Sequence, residues 1–273
     1  MRLITRGLGV ASAAAVAIML LTPMTSSTAV EPTGGGPELP LANAKWDYQI
    51  GKAYKPRSGV EVVSRDREAK PFAAGYTMCY VNAFQTQPGE VRWWKKNHRN
   101  LLLKKNGKYV VDGFWGEILL DVGTADKRKK LTKIVGRWIE GCEEDGFDAI
   151  EPDNLDSWTR SRGELTRSDN FAFANRLINV AHNENLAIGQ KNAAGATMLG
   201  ARKGFDFAVA EECGRWRECQ NYRKAYGNEV FVIEYRRKDF RYSCNRWGDD
   251  LSIILRNLMV SGPGSPKYVY KSC

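Results

Sequence analysis

The sequence predicts one α/β domain in which eight βα units form a (β/α)8 TIM-like barrel, with irregular first and second units. Two observations support this prediction. Short apolar segments alternate with helix-period segments along most of the chain, which is typical of βα units on a parallel sheet. In addition, no Gly-, Pro- or Ser-rich linker interrupts residues 46–273. Barrels of roughly 250 residues commonly fold as a single domain.

Eight segments have the length and composition of buried strands. They are residues 46–51, 59–64, 76–83, 117–122, 147–152, 186–191, 205–210 and 229–235. Only about eight residues separate the first two segments and about eleven the next two, fewer than a crossover helix normally needs. We therefore expect this side of the barrel to be irregular.

Two helices have clear amphipathic patterns. The helix after the fourth segment repeats apolar residues at steps of three and four and meets Gly146 at its end. Its apolar face contains Leu131, Ile134, Val135, Trp138, Ile139 and Cys142. The second is predicted near the C terminus, opened by Asp249 or Asp250 as a cap. Its apolar residues are Leu251, Ile254, Leu255 and Leu258.

The first 29 residues have the three parts of a secretory signal peptide. Arg2 and Arg6 precede an apolar run over residues 8–21, and small residues follow up to a cleavage point near Val30. An uncleaved membrane anchor is the alternative, but the run is shorter than the ~20 residues that a spanning helix needs. We expect a signal peptide over 1–29, a flexible Gly- and Pro-rich leader over 30–45, the barrel over 46–273, and an extracellular protein.

The cysteines indicate disulfides. All six lie beyond the predicted cleavage point, and an even number in an exported chain favours disulfide bonds. We predict the pairs Cys213–Cys219 and Cys244–Cys273. A zinc site is the competing interpretation. The chain has no C-x-x-C pair and only two histidines, so we expect no metal and no cofactor.

The net charge of +10 falls to +8 when Arg2 and Arg6 are removed, which by itself would suggest nucleic acid or an anionic polymer as partner. The basic clusters at residues 127–130 and 236–238 have no patterned aromatic residues beside them. We therefore interpret them as solvated surface and expect neither a nucleic-acid partner nor membrane attachment after cleavage.

The predicted strands end in acidic residues, at the barrel edge where reactive groups of this fold lie. Asp121 ends the fourth strand, residues 153–156 follow the fifth, Glu211 and Glu212 follow the seventh, and Glu234 lies near the end of the eighth. Converging carboxylates repel one another, so such an edge indicates a cation, a metal or proton-transfer chemistry.

Asp153 and Glu211 are the candidates for glycoside cleavage, which needs one carboxyl group as acid and another as nucleophile or base. They lie on strands two apart and are expected to face each other across a sugar. Each also has an ordinary structural interpretation, since Pro152-Asp153-Asn154 is a common turn sequence and Glu211 or Glu212 can cap a helix.

These residues belong to ordered segments that resemble the secreted endo-α-1,4-polygalactosaminidases of glycoside hydrolase family 114. The segments are residues 115–117 with 120–121 (WGE, LD), 146–156 (GFDAIEPDNLD), 181–182 (AH), 191–192 (KN), 205–213 with 218–219 (FDFAVAEEC, EC) and 230–235 (VFVIEY). The resemblance implies a barrel glycosidase acting on α-1,4-linked galactosamine or N-acetylgalactosamine, as in galactosaminogalactan. Asp153 and Glu211 match its catalytic acids.

Within that pair we expect Asp153 to be the nucleophile or base and Glu211 the general acid, because Glu212 beside Glu211 would help raise its pKa. We expect a monomer whose partner is an amino-sugar polysaccharide. The expected substrate-binding residues are Trp46, Tyr80, Trp115, Glu117, Asp121, Asn154, Asp156, Lys191, Asn192, Glu234 and Tyr235.

Two other classes of protein stay open. Ala210 stands where the family has Asn and Glu212 where it has an amide, which would suit a non-catalytic carbohydrate-binding barrel. A metal-dependent polysaccharide deacetylase or phosphodiesterase would also use an acidic edge, although such sites usually combine carboxylates with imidazoles.

Overall fold

The computed structural model describes residues 35–273. Its strands are β1 (Trp46–Tyr48), β2 (Val62–Asp66), β3 (Tyr76–Asn82), β4 (Lys104–Lys105), β5 (Lys108–Tyr109), β6 (Ala149–Asp153), β7 (Ala187–Lys191), β8 (Phe207–Glu211), β9 (Val230–Glu234), β10 (Ser252–Arg256) and β11 (Tyr270–Ser272). Its α-helices are α1 (Val91–Asn97), α2 (Ala125–Glu144), α3 (Arg167–Asn183), α4 (Thr197–Lys203), α5 (Cys213–Trp216), α6 (Cys219–Tyr226) and α7 (Arg237–Trp247). The predicted signal peptide and residues 30–34 of the predicted leader lie outside this range.

Eight parallel strands form the barrel in the order β1, β2, β3, β6, β7, β8, β9 and β10. The strand β11 pairs antiparallel with β10, and β4 pairs with β5 in a separate hairpin. No helix separates β1 from β2 or β2 from β3 in the described chain, whereas helices follow β3 and β6 to β9. The predicted barrel with irregular early units is thus confirmed.

Two predicted elements are wrong. Residues 117–122 are not a barrel strand, because they lie in the long excursion between β3 and α2 and make only isolated bridges there. The eighth barrel strand is instead β10, in the segment predicted to be a helix. All five residues of β10 are buried, with Ile254 facing the barrel interior and Leu255 the helix layer. A segment that is apolar on both faces has no period that separates strand from helix.

Side chains alternate along each barrel strand between the interior and the helix layer. The lower interior is apolar, and its members include Trp46, Met78, Ala149, Phe207, Phe231 and Ile254. The next inward positions toward the carboxyl ends of the strands are polar and buried, and include Tyr48, Ser64, Glu151 and Lys191. The barrel interior therefore changes from apolar to charged between one inward-facing position of a strand and the next.

The helix α2 is the one predicted after residue 122, and it is confirmed. Thr124 caps it by accepting a hydrogen bond from the Lys127 amide, 3.3 Å away. Its inward residues Leu131, Val135 and Ile139 are buried against the sheet. The chain then leaves the helix through Gly146 at φ 88°, a left-handed conformation that favours glycine.

Three disulfides hold the helix layer. Cys213–Cys219 and Cys244–Cys273 are the two predicted pairs and are confirmed. The third, Cys79–Cys142, joins β3 to the end of α2. In the described residues, no helix has both the length and the hydropathy needed to span a bilayer.

Candidate active site

Three neighbouring barrel strands end in charged residues that point into the barrel: Asp153 on β6, Lys191 on β7 and Glu211 on β8. The residue after each strand has a left-handed backbone, with φ 66° at Asn154, 53° at Asn192 and 57° at Glu212. Asparagine adopts this conformation more readily than most residues. The repeated turn ends each strand at the same level, and therefore brings the three charged side chains together.

Lys191 is the centre of the site, and only 2% of its side chain is exposed. Its Nζ lies 3.1 Å from Asp153 Oδ1, 3.4 Å from Glu211 Oε2 and 3.0 Å from Glu151 Oε1, and donates to the Tyr48 hydroxyl at 2.9 Å. Burial alone would lower the pKa of Lys191, but the three carboxylates hold it well above its usual range. Lys191 is therefore a buried ammonium ion that bridges the two candidate catalytic carboxylates.

Asp153 is held in its ionised form. Its Oδ2 accepts hydrogen bonds from the Tyr80 hydroxyl at 2.7 Å and from Asn154 Nδ2 at 3.2 Å. Burial by itself would raise the pKa of this carboxyl, but the Lys191 ammonium and the hydrogen bonds outweigh it, so the pKa is lowered. An anionic carboxylate with fixed orientation suits a nucleophile or base.

Glu211 is oriented by neighbours on both sides. Its Oε1 accepts a short hydrogen bond from the Tyr235 hydroxyl, and its Oε2 accepts one from Asn192 Nδ2 at 2.9 Å. The side-chain oxygen Oδ1 of Asn192 in turn accepts a hydrogen bond from the Glu211 backbone amide at 2.9 Å. One asparagine thus fixes both the backbone and the side chain of Glu211.

An open cleft of about 530 Å³ lies above these groups. Its floor is polar and its rim carries exposed apolar side chains from two segments of the chain. These are Phe114 and Trp115, 70% and 45% exposed, and Leu258 and Met259, 42% and 61% exposed. A flat apolar wall beside a polar floor suits a sugar, whose ring has apolar faces and polar edges.

The profile of glycoside-hydrolase family GH114 matches residues 25–273, which is most of the chain. The chain belongs to this family. The predicted resemblance to family 114 is confirmed, and with it the class of enzyme, a glycosidase. A comparison with curated proteins gave no match.

Solved structures show the same fold. Ega3 of Aspergillus fumigatus, crystallised with galactosamine, is 22% identical, with a TM-score of 0.71 over 88% of this chain and 98% of Ega3. The glycoside hydrolase domain of PelA from Pseudomonas aeruginosa is 12% identical, with a TM-score of 0.58 over 84% of this chain and 98% of that domain. Both comparisons support the family barrel.

Most of the predicted substrate-binding residues of this family member border the cleft. Those that line it are Tyr80, Trp115, Glu117, Asn154, Asp156, Asn192 and Tyr235. Lys191 lies beneath it rather than in its wall. Three predicted residues lie elsewhere, each for a reason visible in the fold.

Trp46 is fully buried in the lower barrel, where its ring packs edge-on against Phe231. Asp121 is in the misassigned segment and pairs with Lys127. Glu234 faces the helix layer, because it alternates with the inward Tyr235, and its Oε1 accepts from the Gly214 amide at 2.7 Å. None of these three side chains lines the cleft, and Trp46 and Glu234 are fully buried.

The expected effect of Glu212 on Glu211 is also not supported. Both carboxylate oxygens of Glu212 contact Arg215 Nη1, at 2.9 and 2.8 Å. The left-handed backbone at Glu212 turns the chain away from the strand direction. A general-acid role for Glu211 therefore needs support other than its sequence neighbour.

A second polar cluster lies beside the cleft and was not predicted. Arg160 contacts Asp112 Oδ2 at 2.8 Å, Asp156 Oδ1 at 3.0 Å and Asn154 Oδ1 at 3.0 Å. Asp112 Oδ1 also accepts from the Phe114 amide at 2.8 Å, which fixes the turn that carries the aromatic wall. Asp112 lies in a loop and Arg160 ends a 3-10 helix, so only tertiary packing reveals their position.

Glu117 joins this cluster to the floor. Its Oε2 accepts from Asn82 Nδ2 at 3.0 Å, and Asn82 Oδ1 accepts from Asn154 Nδ2 at 2.9 Å. Burial raises the pKa of Glu117 to about 7; Asn82 opposes this increase, while Asp153 and Asp112 add to it. Glu117 therefore changes its charge near neutral pH at the edge of the cleft.

One set of described side chains brings possible metal ligands together: Cys213, Cys219 and Glu234, whose donor atoms lie within 4.8 Å of one another. Both sulfurs form a disulfide, so neither is available as a thiolate ligand. These three residues therefore form a disulfide bond beside the buried carboxyl group of Glu234.

Proposed function

We propose that this protein is a secreted glycosidase that cleaves an α-1,4-linked galactosamine and N-acetylgalactosamine polysaccharide through Asp153 and Glu211. One observation carries the proposal: a buried lysine bridges these two carboxylates, from different strands, at the floor of an open cleft. In glycoside cleavage, one carboxyl group protonates the departing oxygen and the other acts on the anomeric carbon or on water.

The contacts favour Asp153 as the nucleophile. Its pKa is lowered, so it carries the negative charge needed to attack the anomeric carbon. As Asp153 attacks, the glycosidic bond breaks and Glu211 protonates the departing oxygen; Glu211 later takes a proton from the water that displaces Asp153 from the anomeric carbon. The Asn192 and Tyr235 contacts hold Glu211 in one orientation for both proton transfers.

The spacing of the pair supports retention of anomeric configuration. Asp153 Oδ1 and Glu211 Oε2 lie 3.1 and 3.4 Å from the same nitrogen, so they are separated by no more than the sum of these distances. Retaining enzymes have carboxyl groups about 5 Å apart, and inverting enzymes roughly 6.5 to 9.5 Å apart. The upper bound coincides with the short limit of the inverting range, which supports the retaining mechanism.

The charge of the cleft supports an amino-sugar substrate. Asp66, Asp112, Glu117 and Asp156 line it in addition to the catalytic pair. A partly deacetylated galactosamine polymer carries ammonium groups, which an acidic cleft attracts even on a protein with a net charge of +8 after removal of Arg2 and Arg6. Ega3, which shares this fold, was crystallised with galactosamine.

The test is release of reducing ends from partly deacetylated poly-N-acetylgalactosamine by the protein lacking residues 1–29. Asp153→Asn and Glu211→Gln are expected to lower kcat by at least a thousandfold, because each removes a group that takes part in bond cleavage. Glu212→Gln is the matched control, since Glu212 neighbours Glu211 but pairs with Arg215.

Full activity in both catalytic variants would contradict the carboxylate-pair mechanism. Inactivity of the wild type on this polymer, together with activity on another glycan, would contradict the substrate assignment alone. Proton NMR of the first product distinguishes retention from inversion, because the new anomer is observed before it mutarotates.

Export is supported by the N-terminal sequence and by the three disulfides, which persist in oxidising compartments. N-terminal sequencing of protein collected from culture medium is expected to begin near Val30. Retention of the intact N terminus in the membrane fraction would contradict cleavage.

A further inference from the structure

A third carboxylate lies beneath the proposed catalytic pair. Glu151 is fully buried and does not line the cleft. It precedes Asp153 by two residues on β6, so both side chains point into the barrel. Glu151 lies at the inward position below Asp153, farther from the carboxyl end of the strand. The substrate cannot reach it, and any effect on the reaction must pass through another residue.

The contacts of Glu151 lead to Lys191. Its Oε1 lies 3.0 Å from Lys191 Nζ and accepts from the Tyr48 hydroxyl at 2.7 Å. Its Oε2 accepts a short hydrogen bond from the Ser64 hydroxyl. Neutral side chains of similar size would fill this volume without the cost of burying a charge. A buried carboxylate with donors on both oxygens therefore calls for an electrostatic explanation.

The charges around Lys191 supply that explanation. A lone ammonium beside Asp153 and Glu211 would stabilise both as anions, and a general acid must be protonated to work. An ionised Glu151 in contact with Lys191 offsets part of this field; burial raises the pKa of Glu151, and Lys191, Ser64 and Tyr48 oppose that increase. Asp153 keeps its negative charge because Lys191 Nζ lies closer to it than to Glu211, at 3.1 Å against 3.4 Å, and because the Tyr80 hydroxyl also donates to it.

We propose that Glu151 is a positioning residue that anchors Lys191 between the catalytic carboxylates and offsets its charge, so that Glu211 can hold a proton while Asp153 stays ionised. This inference rests on the proposed function of the pair. The titratable groups around Lys191 come from five strands: Tyr48 (β1), Tyr80 (β3), Glu151 and Asp153 (β6), and Glu211 (β8), with Tyr235 behind Glu211 at the end of β9.

The test is Glu151→Gln, which keeps the shape and the hydrogen-bond acceptor but removes the charge. Without the offset, the full field of Lys191 favours the Glu211 anion, so the pKa of Glu211 falls. The basic limb of the kcat profile against pH, which reports loss of the acid's proton, is expected to move down by about one pH unit.

Two controls separate this effect from a structural one. Ser64→Ala removes a neutral hydrogen-bond donor of Glu151 but keeps the carboxylate, and is expected to move the basic limb less than Glu151→Gln does. Glu234→Gln removes a buried carboxyl that faces the helix layer of the same barrel, and is expected to leave the pH profile unchanged.

A second readout does not depend on activity. The side-chain carboxyl of Glu211 is titrated by NMR in protein carrying ¹³C at the glutamate carboxyl, with Glu211→Gln to assign its signal. The titration midpoint is expected to fall in Glu151→Gln by the same amount as the basic limb moves.

An unchanged midpoint in folded Glu151→Gln would overturn the proposal, even if kcat falls. If the wild type does not cleave the polymer, the proposed substrate fails, but the NMR titration still decides the role of Glu151. If Glu151→Gln does not fold, the titration is made in Glu151→Asp. Its shorter side chain moves the charge away from Lys191, so the midpoint is expected to fall by less than one unit, and an unchanged midpoint would contradict the proposal.

Discussion

Arg256 Nη1 and Asp47 Oδ1 lie 2.8 Å apart, and both side chains are fully buried. Arg256 ends β10 and Asp47 is in β1, so the ion pair joins the last parallel strand of the barrel to the first. The same guanidinium donates to the backbone oxygens of Ser261 at 3.0 Å and Val269 at 2.8 Å. Side-chain contacts thus help to close the barrel between its two end strands.

Asp47→Asn is therefore expected to destabilise the fold by about 3 kcal/mol, because it leaves the Arg256 charge buried without its counter-ion. Denaturant unfolding with the disulfides intact measures this loss. Asp126→Asn, which breaks the exposed pair with Lys130, is the control and is expected to cost less than about 0.5 kcal/mol. Equal losses of unfolding free energy in the two variants would contradict a special role for the Asp47–Arg256 ion pair in closing the barrel.

The disulfides are expected to differ in their contribution to stability. Cys79–Cys142 closes a loop of 63 residues and Cys213–Cys219 one of 6. All four cysteines are buried, so replacing either pair by alanine has a similar packing cost. Loop entropy then predicts losses of about 4 kcal/mol for the first pair and about 2 kcal/mol for the second. Unfolding free energies of the two double variants test this order.

The sequence predicted what depends on strong local patterns. The apolar stripe of α2 includes Leu131 and Val135, and only a helix places such residues on one face. The ends of β6 and β8 were predictable because Asp153 and Glu211 each end a short strand-like segment, and that of β8 is apolar from Phe207 to Ala210. In contrast, β10 was mistaken for a helix because Ile254 and Leu255 are both buried, on opposite faces of the strand.

The residues missed at the site fall into two groups. Glu151 had a signal, because it precedes Asp153 by two positions and must point the same way in a strand. Tyr48 has the same relation to Trp46. Asp112 and Arg160 had no such signal. Asp112 lies in a loop 32 positions after Tyr80, and Arg160 ends a 3-10 helix 7 positions after Asp153, so the two meet only through tertiary packing.

Glu117 is expected to make substrate binding depend on pH. Its pKa of about 7 means that it is mostly neutral at pH 5.5 and mostly anionic at pH 8. Glu117→Gln should raise KM for the partly deacetylated polymer about fivefold at pH 8, the effect of losing roughly 1 kcal/mol of charge attraction, and change it little at pH 5.5. The fully acetylated polymer, which lacks ammonium groups, is the matched substrate control. A KM increase that is the same at both pH values would contradict this role.

Glu234 is expected to control how stability varies with pH. Burial raises its pKa from 4.5 to about 7; the hydrogen bonds from the Gly214 amide and Ser243 oppose this increase. A raised pKa means that the folded state binds the proton more tightly than the unfolded state. The resulting stabilisation is fully present below about pH 4.5 and is lost as pH rises through 7.

Between pH 5 and pH 8 this group alone should reduce the unfolding free energy by about 2 kcal/mol. Glu234→Gln keeps an oxygen acceptor for the Gly214 amide but cannot ionise. The variant should therefore gain about 2 kcal/mol relative to the wild type over the same interval, whatever its stability at pH 5. Glu140→Gln, on the exposed face of α2, should follow the wild-type curve.

Parallel curves for Glu234→Gln and the wild type would show that Glu234 titrates alike in the folded and unfolded chains. In that case burial at this position would not raise its pKa.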